Sequence, residues 1–130
     1  MRPGRWIPLL GVAYALSGCG ASASDQVQAK LQQFAHAVAG RDTGTLCSQV
    51  LAPDLVGHLT AAGLSCQQAM RTFVDSVTDP SLSVSKVHVK GSSASAVVLA
   101  RAKGQQSSLE SVQLTNTKQG WRLTSLASPR

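Results

Sequence analysis

The chain has 130 residues, a formal charge of +6 and 43% hydrophobic residues, which leaves room for one globular domain and no second core. Charged residues make up 14% and aromatics 4%. The surface is therefore polar through Ser, Thr and Gln, and it lacks the basic stripe with interleaved aromatics that nucleic acid requires. No G-x-S-x-G, H-E-x-x-H, phosphate-loop or C-x-x-C pattern occurs in the sequence, which sets aside the enzyme and metal classes those patterns mark.

Arg2 and Arg5 precede an apolar run from Trp6 to Leu16, the arrangement of a secretory signal. As a helix this run reaches about 16 Å at ~1.5 Å per residue, against a hydrocarbon core of about 30 Å, so it is too short to span a membrane. The stretch Leu16-Ser17-Gly18-Cys19 resembles the lipobox of bacterial lipoproteins. That resemblance implies a signal peptide of residues 1–18, cleavage before Cys19 and a diacylglyceryl group on its thiol, with palmitate-type acylation. The implied address is the extracytoplasmic face of the cell membrane. Loss of Arg2 and Arg5 lowers the formal charge to +4, which favours an anionic surface by roughly 1 kcal/mol per well-placed cation. With Cys19 acylated, Cys47 and Cys66 are left as an even pair in an exported protein, where disulfides form. Such a bridge is worth roughly 3 kcal/mol in the chain-entropy account. Two buried free thiols are the alternative. A metal site is disfavoured, because the two sulfurs lack C-x-x-C spacing and paired histidines.

Residues 19–24 read as a lipidated cysteine and a small-residue tether, and residues 25–130 as one domain. Ser24 or Asp25 caps a first helix whose apolar stripe is Val27, Leu31, Phe34, Ala35 and Val38, and which Gly40 stops. Asp42 or Thr43 caps a second, shorter helix with Leu46, Cys47, Val50 and Leu51. Pro53 and Asp54 open a short turn or helix through Leu55, Val56 and Leu59, ending near Gly63. Ser65 with Gln68 fits a capping box for a third helix carrying Met70, Phe73, Val74 and Val77. After Pro80 the period becomes alternating. The first strand, Leu82 to Val89, changes parity between Val84 and Val87, which predicts a bulge near Ser85 or Lys86. Strands from Ala94 to Ala102, Leu109 to Thr115 and Trp121 to Leu126 follow.

Helices first and a strand meander afterwards predict an α+β layer. Three helices, then a curved four-stranded antiparallel sheet whose last strand carries Gly120-Trp121-Arg122-Leu123, resemble the cone-shaped fold of the nuclear transport factor 2-like superfamily. The resemblance places Trp121 inside the cone. A cystatin-like sheet around one helix is the alternative architecture.

The superfamily hosts isomerases, hydratases and non-catalytic modules, so function must come from the site. The titratable candidates are His36, His58, His88, Asp25, Asp42, Asp54, Asp75, Asp79 and Glu110. His36 lies at the margin of the helical stripe and is expected to be a boundary residue. Glu110 has the parity of Val112 and Leu114, yet is expected to point outward. Lys86, His88 and Lys90 share the strand face opposite Val87 and Val89, and Arg101 and Lys103 extend it if the register allows. The only tyrosine, Tyr14, lies in the leader, which removes the phenol that a ketosteroid-type isomerase uses for an enolate oxygen.

The function expected is that of a lipid-anchored, non-enzymatic binding or interaction module. Its partners are the membrane through Cys19 and either another envelope protein or a small apolar ligand. No cofactor, metal or nucleic acid is expected. The alternative is a SnoaL-like isomerase or hydratase with His36 or an inward carboxylate as base.

Overall fold

A helix needs an acceptor for its first free N–H groups, and Ser22 supplies one: its hydroxyl accepts from the Asp25 N–H at 3.1 Å. Helix α1 therefore spans Ala23–Ala39, with the Asp25 carboxylate in its first turn, where the helix dipole favours negative charge. The structure, a computed structural model, describes residues 22–126; the leader, the lipobox and Cys19 lie outside them. The cap stands at Ser22 rather than at Ser24 or Asp25, so the expected tether gives up its last residues to the helix.

Val27, Leu31, Phe34, Ala37 and Val38 are the buried face of α1. The helix stops at Gly40, as expected, but Gly40 keeps a right-handed backbone and Arg41 takes the left-handed one at φ 58°. A side chain in that region is unfavourable. Arg41 is held there by its contacts with α4 (Cys66–Asp75): its guanidinium donates to the Val74 carbonyl at 3.3 Å and pairs with Asp75.

Asp42 caps α2 (Thr43–Thr45), accepting from the Thr45 N–H at 3.0 Å and the Thr45 hydroxyl at 2.7 Å. The single short helix expected through Leu51 gives way to a π-helical turn, Leu46–Val50, in which the Leu51 N–H reaches back to the Leu46 carbonyl at 3.0 Å. The wider turn lets Leu46, Val50 and Leu51 all be buried. Proline at its start opens α3 (Pro53–Ala61), a full helix where the sequence reads as a short turn or helix. Five helical segments, two of them single turns, thus stand where three helices and a short turn or helix are expected. Ser65 and Gln68 form the expected capping box of α4, and a Cys47–Cys66 disulfide joins the π turn to its first residue.

Strands β1 (Ser81–Lys90), β2 (Ser93–Arg101), β3 (Ser108–Thr117) and β4 (Gly120–Leu123) form an antiparallel sheet in chain order. The register skips between Val84 and Lys86, which is the expected bulge. Val84, Val87 and Val89 pair with Val98, Ala96 and Ala94 on the inner face, and Ala96 and Ala94 pair with Val112 and Leu114 of β3. Leu31, Leu46, Leu51, Val98, Trp121 and Leu123 belong to one buried cluster between this face and the helices. The result is an open α+β cone, and Trp121 fills it as expected.

Removing the bridge with Cys47→Ala/Cys66→Ala is expected to lower the unfolding free energy by about 3 kcal/mol, read as a shift in the denaturant midpoint; an unshifted midpoint would show that the bridge adds nothing. A second outcome concerns Asp42, whose carboxyl is held below its ordinary value of 3.8 by the bonds from the Thr45 side chain and backbone. A folded value below the unfolded one gives stability that is present above the unfolded value and lost as pH falls through the folded one. Asp42→Ala is thus expected to be less stable than the wild type at neutral pH, with the gap narrowing as pH drops below 3.8, in denaturant titrations over a pH series.

Candidate functional site

The bend in β1 carries the sheet away from the C-terminal halves of α1 and α4, and an apolar cavity of about 100 Å³ opens between them. Phe34 on α1 and Phe73 on α4 stack across it with ring centroids 6.2 Å apart. The cross-strand pair Leu82 and Ala100 forms the sheet side. Val38, Val77 and Pro80 complete the apolar wall, while Arg101, Gln105, Gln106 and Ser108 contribute the polar rim.

The segment between β2 and β3 is tied over this end. The Lys103 N–H donates to the Thr78 carbonyl at 2.8 Å, and the Gln105 side-chain amide to the Ser76 carbonyl at 3.1 Å. The cavity is somewhat smaller than the roughly 150 Å³ apolar void that holds benzene. It suits a compact apolar group, with Arg101 among the residues of its rim.

The expected site residues fall in different places. His36 is exposed on α1, as a boundary residue, and does not line the cavity; His58 is exposed on α3. Glu110 does not point outward: it pairs with fully buried Val98, shares the inner face with Val112 and Leu114, and is half-buried. Its carboxylate makes no hydrogen bond or ion pair among the described residues, and it stops short of the cavity lining. Glu110 takes the face that its parity with Val112 and Leu114 implies, and the partly exposed end of the sheet tolerates its charge there.

Lys86, His88 and Lys90 are exposed on the outer face. Arg101 shares that outer face by parity with Val97 and Leu99 but pairs with Ser81 at the far end of the sheet, and Lys103 lies beyond the strand, so neither forms a continuous strip with Lys86. Val97, Leu99 and Leu109 intervene, Leu99 directly opposite Leu109, which is 67% exposed. Asp75, one of the titratable candidates, is the partner of Arg41.

One cationic pair had no sequence signal. Lys30 Nζ donates to the Gln33 side chain at 2.7 Å and to the Gln49 carbonyl at 2.9 Å. Arg122 Nη1 donates to the carbonyls of Ser48 and Leu51 at 3.1 and 3.4 Å. Both cations satisfy carbonyls at the end of the π turn, where the dipole favours positive charge. Burial, and then the neighbouring Arg122 charge, hold the Lys30 pKa below its ordinary value.

No protein-family model matches the sequence, and no curated protein matches it. Among solved structures, a candidate dehydratase of the NTF2-like family from Streptomyces avermitilis is similar with a TM-score of 0.53 at 17% identity, covering 78% of this chain and 90% of its own. A de novo designed NTF2 fold protein, NT-9, is similar with a TM-score of 0.55 at 10% identity, covering 85% of this chain and 90% of its own. The chain therefore has the NTF2-like fold, and at these identities the likeness speaks for the fold alone.

Ala100→Leu, which adds atoms on the sheet side of the cavity, is expected to preserve the fold with a stability change of about 1 kcal/mol or less. It should abolish the chemical-shift perturbation of cavity methyl groups by dissolved benzene. An unperturbed wild type, or a perturbation retained in Ala100→Leu, would mean that benzene does not enter this cavity.

Proposed function

We propose that the chain is a lipoprotein, anchored through an acylated Cys19 to the extracytoplasmic face of the cell membrane, and that its domain is a non-catalytic binding module for a small apolar ligand. One observation carries the binding half: the cavity is walled by Phe34, Val38, Phe73, Val77, Leu82 and Ala100, and among the described residues Arg101 is the only titratable one on it. General acid–base chemistry needs a group within hydrogen-bond reach whose pKa lies near the working pH, and an arginine is not such a group. The isomerase or hydratase alternative asks for His36 or an inward carboxylate. His36 is exposed and Glu110 stands outside the cavity lining, so the geometry favours binding. The dehydratase designation of one fold neighbour belongs to that protein.

The anchoring half is supported by the lipobox-like Leu16-Ser17-Gly18-Cys19 behind a short apolar run, and by the Cys47–Cys66 bridge, which fits an oxidising compartment. No helix among the described residues is long and apolar enough to cross a membrane.

Both halves are tested on protein isolated from its membrane. Intact mass is expected to show loss of residues 1–18 with added acyl groups, and Cys19→Ala should accumulate as an unacylated precursor; an acylated Cys19→Ala product refutes the anchor. Organic extraction of the wild type should release an apolar compound that is missing from the Ala100→Leu extract. Identical extracts refute the ligand.

A further inference from the structure

We infer that the end of the domain from which α1 begins is a docking surface for an anionic lipid bilayer, with Lys90 and Lys118 at its tip and Lys30 and Arg122 behind them. The inference rests on the anchored reading above and adds to it a specific face and a specific occupant.

The orientation follows from contacts along α1. Phe34 and Val38 meet Leu82 and Ala100 at the cavity. One helical turn before Phe34, Lys30 lies beside Arg122, whose charge it feels. Arg122 pairs with Thr115, Thr115 with Ser93, and Ser93 with Lys90, forming one row across the sheet. From Phe34 to Lys30 the helix thus travels from the start of β1 toward its end. The first turn of α1 accordingly lies at the end that holds the turns after β1 and β3. Those two turns are adjacent, since the Asn116 N–H and the Thr115 hydroxyl both donate to the Ser92 carbonyl, at 2.8 and 3.3 Å.

Chain length then limits how far this end stands from the membrane. Three residue steps separate Cys19 from the Ser22 cap, and they span at most about 11 Å even when fully extended. Surface charge is felt over a Debye length of roughly 8 Å at physiological salt. The early start of α1 therefore brings the tip close to head groups.

The charges at this end suit that neighbour. Lys90 and Lys118 are exposed, and their side-chain ammonium groups make no hydrogen bond or ion pair among the described residues. Lys30 and Arg122 are bonded to neutral groups only. The depressed Lys30 pKa is in part a consequence of this unneutralised pair. Asp25 is the carboxylate of the adjoining first turn. At the cavity end acidic groups offset part of the charge: Arg41 is paired with Asp75 and Asp79 lies on the same groove, beside Arg101 on the rim and Lys103 in the strap.

A bilayer is favoured over a protein partner because the tip presents lysines without an apolar or aromatic centre. Protein interfaces are depleted in lysine and built around apolar cores, whereas an array of flexible cations matches anionic head groups.

The test uses the acylated protein, its anchor verified by intact mass, reconstituted in vesicles containing a head-group-dansylated lipid. Once the leader is gone Trp121 is the only tryptophan, and it sits beside the turn that carries Lys118. Energy transfer from Trp121 to dansyl is expected to be greater in phosphatidylglycerol-containing vesicles than in pure phosphatidylcholine. It should fall to the phosphatidylcholine level in Lys90→Glu/Lys118→Glu and in about 1 M salt, where the Debye length is about 3 Å. The charge-matched Arg71→Glu/Lys103→Glu, at exposed positions on α4 and just beyond β2, should retain it. Transfer that ignores lipid charge, or that both double variants reduce equally, overturns the docking while leaving the anchor intact. Unchanged transfer in Lys90→Glu/Lys118→Glu, together with loss of a co-purifying protein, assigns these lysines to a protein partner and also overturns it. A mass without acyl groups overturns the anchor and the docking together.

Discussion

Between Val84 and Lys86 the β1–β2 register skips one residue, so Val84 and Val87 both face the helices and the strand bends between them. Much of the rest follows from that bend. A bulge strengthens local twist and curves the sheet, which gives α1 a concave surface on which to bury Val27, Leu31 and Phe34. Trp121 and Leu123 on the short last strand close the opposite side of the same surface. Where the curved sheet departs from α1 and α4, the side chains no longer meet, and the cavity walled by Phe34, Phe73, Leu82 and Ala100 remains.

The helical layer is held to this sheet by covalent and polar ties as much as by packing. The disulfide fixes the π turn to α4. Leu51 forms a bridge with Leu123, and the Ala52 N–H donates to the Leu123 carbonyl at 2.8 Å. The π turn leaves carbonyls at its end that no helical N–H can reach; Lys30 and Arg122 take them from α1 and β4. Two like charges are thereby brought together, an electrostatic cost tolerated because the carbonyls would otherwise go unpaired.

The domain consequently has two chemically distinct ends. One holds an apolar cavity with a single guanidinium on its rim, under a strap tied by Lys103 and Gln105 to Thr78 and Ser76. The other carries exposed lysines beside the start of the first helix. A fold shared with a designed protein and with a candidate dehydratase is indifferent to this division, since function resides in side chains placed on the scaffold. The outer sheet face adds a third surface, where Leu99 and Leu109 separate Lys86, His88 and Lys90 from Arg101.

Local chemistry makes much of the fold legible in the residue order. The Ser65–Gln68 capping box, the stop at Gly40, the parity change at Ser85 and the α-then-β order each depend on residues a few positions apart, and each appears in the folded domain. The Cys47–Cys66 pair, expected on the reading that Cys19 is acylated, is bridged in the folded domain. What the residue pattern does not resolve depends on how distant segments align. The register sends Arg101 to Ser81 and away from Lys86, the rotation of α1 leaves His36 in solvent, and the pairing with Val98 turns Glu110 inward. Burial of Leu46, Val50 and Leu51 together selects a π turn where a regular helix would expose one of them. Most helices and strands are legible in neighbouring residues, because caps, periodicity and turns are local energies. The cavity and the cationic end arise on folding, because both are made of residues from different elements whose proximity no local interaction specifies.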